Sequence, residues 1–414
     1  MLDIAASLLV LTALLACVNQ RFLRLPTTIG VMATALVLSL ALVGLDALGV
    51  AGDLHEREQA LLRRIDFSEL LMQGMLSMLL FAGALHVDVA ALRAYRWQVA
   101  LLAFVGTAIS TAVVGGVLFV VLGSFGLALP LLDCLLFGAL ISPTDPIAVI
   151  GILKSAGAPR NLEVVIAGES LFNDGVGVVL FTLLLGVAAE GGAPSAGHAL
   201  ALLLREAGGG LLFGWVLGQA TSRLLRSIAG DQVDVLLTLA AVVGGYALAN
   251  HLHVSGPLAM VVVGLIVGHA RRTAGAAAGA HRPLDVFWEL LDELLNAVLF
   301  VLVGMQVIVI RFPVSPALAT AAGVAAIVVT LGARWLTVGL PVRLFRAAFR
   351  LPAGAPGVLT WGGLRGGISI ALALSLPAGP WRETILALTY CVVAFSILVQ
   401  GLSFARLVRA TVRD

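Results

Sequence analysis

Two acidic residues lie within long apolar stretches of the sequence, and each is close to other oxygen-bearing side chains. Asp145 follows Thr144 and lies between Pro143 and Pro146. Because proline removes a backbone donor and clashes with the preceding turn, a helix is expected to break here. A break leaves helix ends and free carbonyl oxygens beside the carboxylate, which is a common way to build an ion site. The alternative is a simple proline kink, with Thr144 and Asp145 capping the second half of the helix.

The second acidic residue, Asp174, belongs to a run in which polar side chains recur one helical turn apart. Glu169 and Asn173 share one face of the predicted helix, and Ser170 and Asp174 share the adjacent face. Polar contacts between helices would account for Ser170 and Asn173. An ionised carboxylate at membrane depth costs at least about 2.5–3.5 kcal/mol, so it is rarely retained without a function.

Together the two segments offer the carboxylate and hydroxyl oxygens that a hard monovalent cation requires. We predict that a Na⁺ ion binds to oxygens of Thr144, Asp145, Ser170 and Asp174, with Asn173 beside them. The same carboxylates can carry protons. This pattern therefore favours a site that holds either a cation or hydrogen ions.

An arginine is predicted inside a second interrupted helix. Arg365 is flanked by glycine pairs at 362–363 and 366–367. Glycine costs about 1 kcal/mol in a helix interior relative to alanine, so four of them predict another break or a very close helix crossing. Arg365 would then balance the dipole ends where the two breaks cross. In the alternative, the glycines serve close packing and Arg365 extends to the membrane interface.

Further charged residues fall within apolar stretches. Arg334 has no charged neighbour on its own predicted helix, and Glu169 likewise needs a cation, so pairing them would satisfy both. Asp292 and Glu293 lie in another apolar run. They either line a funnel that concentrates cations, or cap a helix or lie at the membrane interface.

The composition of the chain excludes several classes of protein. Of 414 residues, 60% are hydrophobic and only 12% are charged, and the mean hydropathy is +1.07. A soluble protein carries about 25% charged residues, so an all-α integral membrane protein in a lipid bilayer is predicted. The arginines are scattered, without the basic tract of a nucleic-acid binder, so no nucleic acid is expected. Without a nucleophile-base constellation or metal-ligand cluster, neither an enzyme nor a cofactor is expected.

About 20 apolar residues are needed for each membrane-spanning helix. Thirteen ranges meet this requirement: 2–19, 26–44, 68–90, 97–123, 128–153, 161–187, 198–222, 233–250, 254–270, 284–310, 315–340, 354–376 and 383–405. The positive charges Arg21 and Arg24 follow the first span, which predicts that the N-terminus lies outside. Because the number of spans is odd, the C-terminus is then expected in the cytoplasm.

The interrupted spans 5 and 12 occupy matching positions in spans 1–6 and 8–13, which run in opposite directions. Interrupted helices at corresponding positions are typical of inverted-repeat transporters with a site near the membrane midplane. We therefore predict two inverted six-helix repeats, with helices 5 and 12 crossing at the ion site.

With these motifs the chain resembles the monovalent cation:proton antiporters of the bacterial NhaP and animal NHE type. The matching segments are 142–146, 168–175 and 362–366, with weaker agreement at 79–88 and 255–259. They extend from span 3 to span 12. The resemblance implies an elevator-like homodimer with dimerisation-domain helices 1–3 in residues 1–90 and 7–10, with the linker, in 198–310. It places the core bundles, helices 4–6 and 11–13, in residues 97–190 and 315–410.

The resemblance also implies roles for individual residues. Asp174 would be the ion- and proton-binding carboxylate, assisted by Asp145, Thr144 and Ser170. Glu169 with Arg334 is similar to the structural ion pair of the family, and Arg365 to its charge at the helix crossing. Asn173 stands where electrogenic relatives carry aspartate, which implies electroneutral exchange. Many relatives carry an acidic residue where this chain has Ala82, so no third carboxylate is carried over from the family.

The predicted function is exchange of Na⁺ for H⁺ across the inner (cytoplasmic) membrane by alternating access, with the cation and proton competing at Asp174. Whether Li⁺ or K⁺ is also carried is left open. The alternative is a sodium-coupled symporter of an organic solute on a similar fold. It would need a roomy, partly aromatic cavity, whereas aromatic residues make up only 6% of the chain.

Overall fold

A computed structural model describes residues 2–47, 74–190, 196–228, 230–275, 282–305 and 315–411, and these ranges contain helices and no strand. The α-helices are α1 Leu2–Val18, α2 Thr27–Ala47, α3 Leu76–His86, α4 Val89–Ala94, α5 Arg96–Ala100, α6 Thr107–Ser124, α7 Leu131–Ile141, α8 Ile147–Ser155, α9 Arg160–Glu190, α10 Ala196–Leu203, α11 Gly209–Ser227, α12 Asp231–His251, α13 Gly256–Gly275, α14 Arg282–Met305, α15 Pro316–Arg334, α16 Leu340–Leu344, α17 Arg346–Phe349, α18 Ala355–Trp361, α19 Gly367–Leu374, α20 Arg382–Phe395 and α21 Leu402–Thr411. π-helical segments extend several of these helices, at Asn19–Leu23, Leu101–Gly106, Leu204–Gly208, Trp335–Gly339 and Ser396–Gly401.

The described helices are those of an integral membrane protein. Large apolar side chains such as Phe22, Trp97 and Leu236 are exposed on their outer surfaces, as lipid-facing residues would be. Seven helical stretches in the described ranges are long and apolar enough to span a bilayer: Ala6–Leu23, Arg96–Ser124, Arg160–Ala189, Ala201–Ser227, Asp231–His251, Pro316–Leu344 and Arg382–Thr411.

Helices also occupy the other predicted ranges, including the shorter apolar helices α2, α3 and α7. Residues 68–73 of span 3 and 306–310 of span 10 lie outside the described residues. The total of thirteen crossings and their inverted-repeat arrangement therefore remain predictions.

The helix contacts fall into two groups. In the core group, α7 packs against α6, α9 and α19, while α15 packs against α6 and α20. In the flanking group, α13 packs against α3, α11 and α12, and α14 packs against α2 and α3. Contacts of α9 with α13, and of α14 with α19, join the two groups.

Glycines allow α6 and α7 to pack with their backbones almost in contact. A Cβ atom added at Gly138 of α7 would lie 2.4 Å from the carbonyl oxygen of Thr111 in α6. From the other side, a Cβ at Gly115 would lie 2.8 Å from the Cα of Leu135. Since lipid provides little hydrophobic drive for helix association, such close packing is a main source of helix–helix stability in membranes.

A buried ion pair ties α9 to α15. The guanidinium of Arg334 donates two hydrogen bonds to the carboxylate of Glu169, at 2.6 Å and 2.7 Å, and both side chains are buried. Arg334 Nε donates a further bond to the carbonyl oxygen of Leu359 in α18. This geometry places together the two residues that the sequence analysis pairs.

We expect Gly138→Ala to lower stability, because the added methyl group would collide with backbone that cannot rotate away. Overpacking of this kind typically costs about 1–3 kcal/mol. The measurement is the thermal unfolding midpoint of the purified protein in detergent. Gly116→Ala is the matched control, since nothing lies within 4 Å of a Cβ at Gly116 on the same helix pair. An equal midpoint for the two variants would contradict the proposed close contact.

Glu169→Gln should also destabilise the fold strongly, because it leaves the Arg334 guanidinium buried without its counter-charge. Breaking one side of a buried pair costs about 3–5 kcal/mol. The control is Asp88→Asn, which removes a charge from the exposed pair with Arg160, whose side chain is 77% exposed. Exposed pairs contribute little, so its unfolding midpoint should stay near that of the unmodified protein. Similar midpoints for the two variants would show that the buried pair contributes no more to stability than the exposed pair.

Candidate functional site

Two interrupted helices cross in the core group. The first break separates α7, which ends at Ile141, from α8, which begins at Ile147. The second separates α18, which ends at Trp361, from α19, which begins at Gly367. The backbone N–H of Asp145 in the first break donates to the carbonyl oxygen of Leu364 in the second, at 2.8 Å. Both helices therefore present irregular backbone at the same point, where protein rather than lipid covers it.

Arg365 lies at this crossing and is only 2% exposed. Its Nη1 donates hydrogen bonds to the carbonyl oxygens of Ser142 and Pro143, the latter at 2.8 Å. Its backbone N–H donates to the hydroxyl of Ser396 at 2.8 Å. The arginine thus supplies donors to carbonyl groups that lose their helical partners where the prolines interrupt the chain.

A glycine after the arginine lets Asp145 approach the second break. A Cβ atom at Gly366 would lie 2.7 Å from Oδ2 of Asp145 and 2.9 Å from its Cβ. A larger residue at this position would displace the aspartate. The glycine-rich run therefore serves both the break and the placement of the carboxylate.

A hydrogen-bonded set of polar side chains connects the first break to α9. The hydroxyls of Thr144 and Ser170 are 2.9 Å apart, and Asn173 Nδ2 donates to Thr144 Oγ1 at 2.8 Å. The same Nδ2 donates to Glu169 Oε1 at 2.7 Å, while Asn173 Oδ1 accepts from the backbone N–H of Thr144. Thr144, Ser170 and Asn173 are all buried. Asn173 thus links the ion pair with Arg334 to the broken helix.

Asp174 lies on α9 and is 6% exposed. Its carboxylate interacts electrostatically with Asp145 and Arg365. Within the described ranges, no group donates a hydrogen bond to it. An ionised carboxylate in this position is costly unless positive charge balances it.

Asp145 and Asp174 line one cavity of about 80 Å³. Side chains from the flanking group complete its walls, among them Leu80 of α3 and Asp292 of α14. One water needs roughly 10–15 Å³ of such volume, so the cavity has room for an ion with part of its water shell. In the ranges described here, no three His, Cys, Asp or Glu side chains come close enough to hold a metal ion directly.

Two polar residues of this cavity, Asn296 of α14 and Ser369 of α19, were not predicted from the sequence. A single amide or hydroxyl in an apolar helix often serves only helix packing, so the residue types alone do not indicate a functional site. For Asp292 the sequence left a cation funnel and an interfacial position open, and the structure places it on the cavity wall. Its neighbour Glu293 is exposed and is not part of that wall.

The chain is similar to known proteins over nearly its whole length. Residues 8–410 match the family described as sodium/hydrogen exchanger, transmembrane. The Na(+)/H(+) antiporter NhaP of Pseudomonas aeruginosa is 54% identical over 414 residues, covering 99% of this chain and 96% of that protein. The Na(+)/H(+) antiporter NhaH of Halobacillus dabanensis is 37% identical over 317 residues, 74% of each chain.

A solved structure also shares the fold. The sodium proton antiporter MjNhaP1 from Methanocaldococcus jannaschii at pH 8 superposes with a TM-score of 0.76. The match covers 99% of this chain and 98% of that one, at 19% sequence identity. The sequence match over nearly the full length and the common helical fold agree, and the chain therefore belongs to the transmembrane sodium/hydrogen exchanger family.

Proposed function

We propose that this protein exchanges Na⁺ for H⁺ across the inner (cytoplasmic) membrane of a bacterial cell. The relatives compared above carry names that state this exchange. The observation that carries the proposal is the cavity at the crossing of two interrupted helices, lined by both Asp145 and Asp174. It offers carboxylate oxygens to a cation or to protons, in a place where an uncompensated charge is costly.

Competition between the two ions at Asp174 provides the coupling. A Na⁺ ion balances the ionised carboxylate, or a proton neutralises it, and either state removes the charge that would otherwise oppose movement. The unoccupied, ionised site is too costly to carry across the membrane. When the cavity is exposed alternately to the two sides of the membrane, Na⁺ is carried in one direction and H⁺ in the other.

The polar residues beside Asp174 on α9 support electroneutral exchange. Asn173 carries no charge, and its amide is held between Glu169 and Thr144. The charge of Glu169 is compensated by Arg334. One Na⁺ would then replace one H⁺ at Asp174.

The assembly follows from the same proposal. Helices 4–6 and 11–13, in residues 97–190 and 315–410, would form a moving core. Residues 1–90 and 198–310 would form the dimerisation domain of a homodimer. Thirteen crossings would place the N-terminus outside and the C-terminus in the cytoplasm.

The alternative of a sodium-coupled symporter for an organic solute has no support. Pockets for drug-sized molecules typically measure about 300–1,000 Å³. The cavity here, at about 80 Å³, is far smaller. The relatives compared above are named as antiporters, that is, as transporters rather than enzymes.

We expect Asp174→Asn to reduce Na⁺-driven proton movement to the level of protein-free liposomes, because the amide can neither take up a proton nor balance Na⁺. The measurement is dye-reported proton flux in proteoliposomes after a Na⁺ pulse. Glu163→Gln is the matched control, since it removes an acid from the same helix away from the cavity and should leave the flux intact. Normal exchange by Asp174→Asn would refute competition at this residue.

Electroneutral exchange predicts a rate that does not respond to membrane potential. A transport step that moves one net charge changes by about 2.3 kcal/mol per 100 mV. Proteoliposomes clamped with K⁺ and valinomycin at several potentials should therefore show the same initial Na⁺/H⁺ exchange rate. A rate that rises or falls steeply with the imposed potential would instead demonstrate net charge movement.

A further inference from the structure

The cavity contains a third carboxylate that comes from the other group of helices. Asp292 lies on α14 of the flanking group, whereas Asp145 and Asp174 belong to the core group. Asn296, one turn further along α14, is 2% exposed and donates its amide to Asp292 at both the carbonyl oxygen, 2.8 Å, and carboxylate Oδ1, 3.1 Å. The carboxylate is therefore held in a fixed position on the cavity wall.

Asp292 and Asp145 face the same small volume. Their carboxylates interact electrostatically across it. Two like charges in a low-dielectric space repel each other strongly unless a cation lies between them. The pair is thus arranged to attract a positive ion from two different groups of helices.

A second, independent feature of the cavity also indicates a ligand. Ser369, on α19 after the second break, is one of the residues that line the cavity, and it is only 1% exposed. Among the described residues its hydroxyl has no hydrogen-bond partner. Leaving a buried hydroxyl unsatisfied costs about 1–3 kcal/mol, so a water or an ion in the cavity is expected to bind it.

We propose that Asp292 and Ser369 are further binding residues for the transported monovalent cation, which they hold in the cavity together with the core carboxylates. This inference rests on the proposed exchange function and extends its ligand set to the flanking group. Because the carboxylates do not converge on one point at metal-ligand distance, the ion keeps part of its water shell while it contacts them. Asp292 then determines how readily the cation occupies the cavity, while Asp174 remains the residue at which cation and proton compete.

The test measures the Na⁺ dependence of exchange by Asp292→Asn in proteoliposomes containing the full chain, at fixed pH. We expect the apparent KM for Na⁺ to rise roughly three- to tenfold, with the maximal rate retained, because one partly screened charge interaction is lost. Glu293→Gln is the matched control: it removes the adjacent, exposed acid and should leave KM unchanged. A purely structural role for Asp292 would instead lower the amount of folded protein or the maximal rate without changing KM.

Ser369→Ala provides the second measurement, since it removes one oxygen with little change in volume. Its apparent KM for Na⁺ should also rise. The double variant should show an increase that differs from the product of the two single effects if both residues contact the same ion. The proposal is overturned if Asp292→Asn has the KM of Glu293→Gln, or if Ser369→Ala has the KM of the unmodified protein. Failure of the exchange function itself would appear separately, as absent Na⁺/H⁺ exchange by the unmodified protein.

Discussion

The hydrogen bonds from Arg365 to the carbonyl oxygens of the opposite interrupted helix are the interaction on which the proposed ion site depends. Irregular backbone is tolerated at membrane depth only where other protein groups satisfy it. Arg365 supplies these donors from within the protein, and Asp145 reciprocates by donating its backbone N–H to Leu364. The crossing therefore keeps a carboxylate beside free helix ends without exposing them to lipid.

Around this crossing, different polar groups perform separate tasks. Glu169 and Arg334 neutralise each other and join α9 to α15, so their charge is compensated within the core group. Asp174 forms no ion pair of this kind with the residues that the structure describes, and it lines the cavity with Asp145. The same helix thus carries one acid in a bidentate ion pair and another that faces the cavity. This difference in partners is the physical basis for assigning transport to Asp174.

The sequence predicts much of this arrangement, because the cost of burying charge limits the possible explanations for each residue. Prolines beside Asp145 indicate the first break, and glycines beside Arg365 indicate the second. Glu169 and Arg334 are predicted to pair because each needs an opposite charge. Ser369 and Asn296 could not be identified in this way. They belong to the cavity only because α14 and α19 face it. Which helices face each other cannot be read from the spacing of residues along the chain.

The amide of Asn173 limits which substitutions the position can accept. It donates to both Glu169 and Thr144, and it also accepts a hydrogen bond from the backbone of Thr144. An aspartate at this position cannot donate these bonds when ionised, and it would bring a negative charge next to Glu169. An aspartate at this position is therefore expected to need a compensating change at Glu169 or Arg334, so that two coordinated substitutions would be required rather than one.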